Sequence, residues 1–136
     1  MTTPTRFILV DDNEADNVYH EIVIRRTGFT GEIRVMESAA EALDFLRNDP
    51  LSAPTCLFLD INMPQMNGFE FVRQAAPLLR HKPGLTVKLL TSSDAPQDHR
   101  RANDLPLIRE FITKPLTREQ VRAMLQTQAQ AEEQTP

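Results

Sequence analysis

Tryptophan is absent from the 136-residue sequence, cysteine occurs once and glycine four times. A single cysteine excludes an internal disulfide and a cysteine metal cluster, and Cys56, inside the apolar run 56–59, is predicted to be a buried, inert thiol. No apolar run approaches the roughly 18 to 20 residues of a membrane helix. The formal net charge of −4 gives no basic footprint for nucleic acid. Membrane and nucleic-acid partners are therefore not expected.

The N-terminal segment also lacks the charged-then-apolar pattern of a secretory signal, which predicts a cytoplasmic protein. With 40% hydrophobic and 25% charged residues, the composition is typical of a globular chain. The length is close to the commonest domain size, so we predict one domain over residues 1–127. Residues 128–136 are rich in Gln, Ala and Glu and are predicted to form a polar tail.

Five short apolar segments alternate along the chain with five segments of helical spacing. The predicted strands cover residues 7–10, 33–36, 57–59, 87–90 and 111–112. Continuous apolar runs are typical of strands buried on both faces, and parallel strands need crossover connections, which helices provide. The pattern therefore predicts an α/β fold with a flavodoxin-like, doubly wound sheet of five parallel strands in the order 2-1-3-4-5, flanked by five helices.

The helices are predicted from apolar spacing and from the residues at their ends. The first is expected over 16–26 and is expected to end at Gly28. Its core-facing residues are predicted to be Val18, Ile22 and Val23. Residues 38–41 and 117–120 have the form of capping boxes, which open the second and fifth helices. The fourth helix, over 95–105, is polar and has the weakest amphipathic pattern of the five.

Polar side chains come directly after four of the predicted strands. They are Asp11 and Asp12, Asp60, Thr91 and Lys114. In a parallel sheet the carboxyl ends of the strands share one edge, and ligands of open α/β sheets bind outside that edge. We therefore expect these five side chains to line one crevice.

The residue types in this crevice indicate phosphoryl transfer. Three crowded carboxylates repel one another and need a cation, and an all-oxygen ligand set suits a hard ion such as Mg²⁺. The ammonium of Lys114 and the hydroxyl of Thr91 are suited to neutralising and binding a phosphoryl group. A carboxylate can itself be the nucleophile, which gives an aspartyl phosphate.

The motifs that carry a family resemblance are Asp11-Asp12, the segment 59–64 (Leu-Asp-Ile-Asn-Met-Pro) with Gly68, Thr91-Ser92 and Lys114-Pro115. Each is weak evidence alone, but the ordered set closely resembles the response-regulator receiver domain over roughly residues 6–126. The resemblance implies a single-domain response regulator of the chemotaxis type.

The resemblance implies that Asp60 accepts a phosphoryl group from a sensor histidine kinase or a histidine phosphotransfer protein. It also implies that Asp12 and Asp60 ligate Mg²⁺ directly, Asn62 does so through its backbone carbonyl, and Asp11 acts through a water molecule. Such a protein is a phosphoacceptor switch rather than an enzyme, with self-phosphorylation from small phosphodonors and autodephosphorylation expected.

The same resemblance assigns the signalling residues. Thr91 and Lys114 would bind phosphoryl oxygens, and the Lys114–Pro115 peptide would be cis. Phe111 occupies the switch position where many members have a tyrosine, so a Thr91–Phe111 switch would depend on packing without a hydroxyl. The output partner is expected to bind the face built by helix four, strand five and helix five, and a homodimer is left open.

Three other functions share parts of this pattern. An aspartate-dependent phosphohydrolase would also use Asp60 and Lys114, but such enzymes usually need a second acid where this chain has Asn62. A flavodoxin-like FMN carrier should have a Ser/Thr/Gly-rich loop after strand one and aromatics to stack the flavin, whereas Tyr19 is the one tyrosine. An unphosphorylated scaffold would not need the complete acidic set.

The histidines do not suggest a phosphodonor. They are distant from one another in the sequence and lie on predicted helices or loops. Surface positions are expected for all three: His20, His81 and His99.

Overall fold

The computed structural model describes residues 3–92 and 95–133, with side chains described through residue 126. The strands are β1 (Arg6–Val10), β2 (Glu32–Met36), β3 (Thr55–Leu59), β4 (Leu85–Thr91) and β5 (Ile108–Thr113). The helices are α1 (Glu14–Arg25), α2 (Ala39–Asn48), α3 (Gly68–Leu78), α4 (Pro96–Asn103) and α5 (Arg118–Glu133). Strands and helices alternate along the chain, as the sequence predicts.

All strand pairings in the sheet are parallel, and the strand order is β2-β1-β3-β4-β5. In the central pair, Arg6 lies opposite Thr55 and Val10 opposite Leu59. This register aligns the carboxyl ends of β1 and β3. The predicted doubly wound order is confirmed.

Two apolar layers cover the sheet. On one face, strand residues such as Phe7 and Phe58 pack with Val23 and Ile24 of α1 and Val121 of α5. On the other face, alternate residues of the same strands pack with α2, α3 and α4. The central strand segments are therefore buried on both sides, which explains their continuous apolar sequence. Cys56 is buried in the first layer, and burial raises the pKa of its thiol to about 12.

Side-chain caps begin several of the helices. The Asn13 side chain accepts a hydrogen bond from the Asp16 N–H at 3.1 Å, and Ser38 Oγ accepts one from the Glu41 N–H at 3.1 Å. Thr117 and Gln120 form the reciprocal capping-box bonds at 3.2 and 2.9 Å. The predicted starts of α2 and α5 are thus confirmed, whereas α1 begins at Glu14, earlier than predicted, because Asn13 is its cap.

The predicted core face of α1 is partly wrong. Val18 and Ile22 are 52% and 46% exposed, whereas Asn17 and His20 are buried. The face of the helix that packs on the sheet instead combines Val23 and Ile24 with these polar residues. The expectation that His20 lies at the surface is wrong for the same reason. Gly28, with φ of +94°, follows the helix end as predicted.

Two further elements differ in extent from the predictions. The weakly amphipathic α4 is present over eight residues, with a proline at its first turn and buried Ala102 on its inner side. Helix α5 continues to Glu133, and the domain boundary at residue 127 stays a prediction. Among the described residues, no helix combines the length and apolar character needed to cross a membrane.

Candidate phosphoacceptor and metal site

The carboxyl ends of β1, β3, β4 and β5 bring the predicted polar side chains to one edge of the sheet. Backbone hydrogen bonds extend the sheet past the strand ends: the Asp60 N–H donates to the Val10 carbonyl at 3.1 Å, and the Lys114 N–H donates to the Thr91 carbonyl at 2.8 Å. The positions of these residues are therefore fixed by the backbone of the sheet itself, which limits their movement.

Three carboxylates crowd together at this edge. One oxygen from each of Asp11, Asp12 and Asp60 lies within 4.8 Å of the others. Asp11 and Asp60 are 4% and 7% exposed, whereas Asp12 is exposed. Asp60 Oδ1 is buried and accepts no hydrogen bond from the residues that the structure describes. An all-oxygen set with one orphaned carboxylate oxygen fits a hard divalent cation such as Mg²⁺.

Lys114 brings positive charge into the acidic cluster. Its Nζ lies 2.6 Å from Asp11 Oδ2, 2.7 Å from Asp16 Oδ2 and 3.6 Å from Asp60 Oδ2. Sequence reasoning missed Asp16, and the signal that could have found it was its position at the start of the first predicted helix, just after the acidic pair Asp11-Asp12. Asp16 is thus a fourth acid beside the cluster of three carboxylates, on the α1 side of Lys114.

The electrostatic environment raises the pKa values of both Asp60 and Lys114. Burial raises the pKa of Asp60, and the Asp11 charge adds to this effect, while Lys114, the Thr91 side chain and the Asn62 backbone act in the opposite direction. Burial alone would lower the pKa of Lys114, but hydrogen bonds to Asp11 and Asp16 outweigh it and raise the pKa. Lys114 therefore remains an ammonium, whereas the surroundings of Asp60 disfavour its charged form.

The loop between β3 and α3 packs closely against the backbone of Asp60. Gly68 donates its N–H to the Ile61 carbonyl at 2.9 Å, and a Cβ on Gly68 would lie 2.9 Å from the Asp60 carbonyl oxygen. Only glycine permits this close approach. Asn62 lies in the same loop, two residues after Asp60, and is exposed.

The predicted switch residues lie on neighbouring strands. Thr91 is fully buried at the end of β4, beside Asp60. Phe111 is half-buried on β5, and its ring stacks on the His99 imidazole of α4, with centroids 3.8 Å apart and planes at 25°. His99 is half-buried rather than at the surface. No local sequence pattern marks this contact, because it joins two separate elements.

Two buried polar residues of α1 lie near the site, and sequence reasoning assigned neither to it. The Asn17 Nδ2 donates to the Asp11 carbonyl at 2.8 Å, which fixes the turn that carries the first carboxylate. Burial, and then the nearby Lys114 ammonium, lower the pKa of His20. His20 is therefore neutral at physiological pH. The Lys114–Pro115 peptide is cis, as the resemblance implies.

A family model described as response regulator receiver domain matches residues 7–126. A probable methanogenesis regulatory protein, FilR2 of Methanothrix harundinacea, is 31% identical over 122 residues, which cover 88% of this chain and 77% of that protein. Response regulator MprA of Mycobacterium sp. is 28% identical over 123 residues, which cover 90% of this chain and 49% of MprA. The chain thus spans about half the length of that second relative.

Solved structures agree with the family match. A response regulator receiver protein from Dyadobacter fermentans has a TM-score of 0.77 at 29% identity, covering 90% of this chain and 95% of its own. A two-component response regulator from Cytophaga hutchinsonii has a TM-score of 0.76 at 26% identity, covering 95% and 99%. Both are similar to this chain over nearly their full length.

Proposed function

The chain belongs to the response regulator receiver domains of two-component systems, a family of phosphoacceptor switches, and we propose that Asp60 is its phosphoacceptor. The phosphodonor is a sensor histidine kinase or a histidine phosphotransfer protein. One observation carries the assignment: the Asp60 carboxylate is buried with an unpartnered oxygen, next to two further carboxylates and the Lys114 ammonium. A purely structural carboxylate would have its oxygens satisfied by the fold.

The same cluster is assigned as the Mg²⁺ site. Asp12 and Asp60 are the direct ligands, Asn62 adds its backbone carbonyl and Asp11 acts through water. When bound, Mg²⁺ supplies the positive charge that offsets the crowded carboxylates and the incoming phosphoryl oxygens. The donor types support this assignment, since Mg²⁺ prefers a few carboxylates and retains several waters.

In the proposed reaction a carboxylate oxygen of Asp60 attacks phosphorus. A P–O bond forms, the P–N bond of the phosphohistidine breaks, and the imidazole leaves with the bonding electron pair. The Lys114 ammonium and the Thr91 hydroxyl donate hydrogen bonds to the phosphoryl oxygens. A small acyl phosphate is a second donor by the same displacement, with its carboxylate as the leaving group. Attack of water on phosphorus breaks the P–O bond to Asp60, releases inorganic phosphate and returns Asp60 to its resting carboxylate.

The proposed output is a shift between two conformers. Thr91 and Lys114 contact the new dianion, and Phe111 transmits the change to the face formed by α4, β5 and α5, where an output protein or a second copy of the chain binds. The stack of Phe111 on His99 supports this route, because it connects β5 directly to α4. The protein acts in the cytoplasm in this proposal.

Acetyl phosphate with Mg²⁺, followed by intact-mass measurement, tests the assignment. The wild type should gain one phosphoryl group and Asp60→Asn none, because an amide oxygen is a poor nucleophile. Lys114→Ala should still be phosphorylated to some extent but should show a blunted conformational change, since the ammonium that reads the new charge is missing. Wild-type incorporation into Asp60→Asn, with acid-stable chemistry, would refute the assignment.

A further inference from the structure

Asp16 lies outside the ligand set assigned above, yet it makes one of the two shortest contacts of Lys114. Its Oδ2 is 2.7 Å from Nζ, against 3.6 Å for the Asp60 carboxylate. Asp11 lies at 2.6 Å. The ammonium is therefore bonded to two acids that are not the phosphoacceptor, and it lies nearer to them than to Asp60.

The position of Asp16 explains how it reaches Lys114. It lies in the first turn of α1, and its backbone N–H is bonded to the Asn13 cap. Its side chain is 37% exposed, whereas that of Lys114 is 12% exposed. The helix start thus anchors Asp16 on the solvent side of a cation that is otherwise largely buried.

We propose that Asp16 is a positioning residue that retains Lys114 on the α1 side of the site, in competition with the phosphoryl group on Asp60. A lysine ammonium has three N–H donors, and in the resting state two of them point to Asp11 and Asp16. A phosphoryl group must draw the ammonium towards Asp60 against this restraint. Asp16 therefore weakens the phosphorylated state relative to the resting state.

Two features make the restraint specific to Asp16. Asp11 is buried at the end of β1 and belongs to the acidic cluster, so its contact with Lys114 is compatible with a bound cation and a phosphoryl group. Asp16 lies on a different element from every acid in that cluster. Its interaction with Lys114 is therefore the one that opposes movement of the ammonium without contributing to the site.

The inference rests on the proposed phosphoacceptor role of Asp60 and can be tested separately from it. Beryllofluoride, a non-covalent mimic of a phosphoryl group on a carboxylate, is titrated calorimetrically into the full chain at saturating Mg²⁺. Asp16→Asn should bind beryllofluoride about two- to fivefold more tightly than the wild type, the range expected for losing a partly exposed ion pair.

Matched variants separate this role from simpler ones. Glu14→Gln removes an exposed acid from the same helical turn, so it reports the general effect of one negative charge less. Asp16→Glu keeps the charge and should restore wild-type affinity. Thermal unfolding of each variant checks that it is folded, and a merely structural role for Asp16 would lower stability without tightening beryllofluoride binding.

The outcomes distinguish the two proposals. If the wild type does not bind beryllofluoride, the phosphoacceptor assignment fails and the role of Asp16 fails with it. If the wild type binds but Asp16→Asn matches Glu14→Gln or binds more weakly, the role of Asp16 alone is overturned. Tighter binding by Asp16→Asn than by Glu14→Gln, with Asp16→Glu at the wild-type level, supports it.

Discussion

Both edges of the sheet carry charged residues, but the charges are paired at the amino edge and negative charge is in excess at the carboxyl edge. At the amino edge, the Arg6 guanidinium bonds to both carboxylate oxygens of Asp49, at 3.2 and 3.0 Å, and its Nε donates to Thr55. At the carboxyl edge, the Lys114 ammonium faces a cluster in which acids outnumber it. β1 links the two, since it begins at Arg6 and runs into Asp11.

The pKa shifts express this difference. Hydrogen bonds from Arg6 lower the pKa of Asp49, so the fold stabilises that charge. Burial raises the pKa of Asp60, so the fold disfavours that charge. Charge that is matched within the chain stabilises the structure, whereas charge left unmatched is available to an external cation or phosphoryl group.

The largest expected effect is on metal binding at the carboxyl edge. Asp12→Ala should weaken Mg²⁺ binding at least about 100-fold, because loss of a direct ligand exceeds the cost of losing a supporting residue. Isothermal titration of Mg²⁺ into both proteins measures this. Asp49→Asn serves as the control and should keep the wild-type affinity; tight binding retained by Asp12→Ala would remove Asp12 from the ligand set.

At the amino edge the expected effect is on stability. Asp49→Asn should lower the free energy of unfolding by about 1–3 kcal/mol, between the values for exposed and buried ion pairs, because it leaves Arg6 with only the longer ion pair to Glu32, at 3.9 Å. Urea unfolding at neutral pH provides the measurement. An unchanged free energy would mean that the bidentate pair does not stabilise the fold.

The matching change at the carboxyl edge should have the opposite sign. Asp60→Asn removes a charge that burial and Asp11 disfavour, so in metal-free buffer it should raise the free energy of unfolding by up to about 1 kcal/mol. The same urea experiment applies. Destabilisation by Asp60→Asn would contradict the inference that the fold disfavours the charge on Asp60.

The smallest effect is a difference in pH dependence. The pKa of Asp49 is lowered from 3.8, so its stabilisation is fully present above that value and is lost as the pH falls through the lower, folded-state pKa. The pKa of Asp60 is raised from 3.8, so the stability gain from Asp60→Asn is fully present at neutral pH and is lost as the pH falls through the raised, folded-state pKa, where the native carboxyl takes up its proton. This loss begins at a higher pH than the loss of the Asp49 stabilisation.

Metal-free unfolding of the wild type and both variants, from neutral pH to about pH 4, resolves this order. The stability gain of Asp60→Asn should shrink over this range, while the cost of Asp49→Asn persists until the pH falls below the range. A gain that stays constant with pH would contradict the raised pKa.

The sequence predicted those features that follow from local pattern combined with a topological rule. Apolar runs ending in acids, a threonine and a lysine located the strand ends, and parallel topology implied that Asp60, Thr91 and Lys114 meet. Strand order followed from the alternation of strands and helices. The positions of these residues were predictable because each lies at or directly after the end of a strand, and the sheet fixes where the strands end.

Contacts that depend on side-chain reach were not predicted. The Asp16–Lys114 pair joins residues 98 positions apart, and the Phe111–His99 stack joins β5 to α4. The inner face of α1 was misassigned because apolar spacing selected Val18, whereas Asn17 is the buried neighbour. Asn17 can be buried there because its side-chain amide donates a hydrogen bond to the Asp11 carbonyl. A pattern of apolar spacing cannot predict such a bond.

The central claim, that the unmatched charge at the carboxyl edge makes Asp60 the phosphoacceptor, is tested most directly by locating the acyl phosphate. Borohydride reduces an aspartyl phosphate to the alcohol, homoserine, and releases phosphate, so peptide mapping after acetyl phosphate, Mg²⁺ and borohydride identifies the modified carboxylate. Homoserine is expected at position 60. Homoserine at Asp11, Asp12 or Asp16, or a phosphoryl group that survives reduction on Thr91 or Ser92, would contradict it.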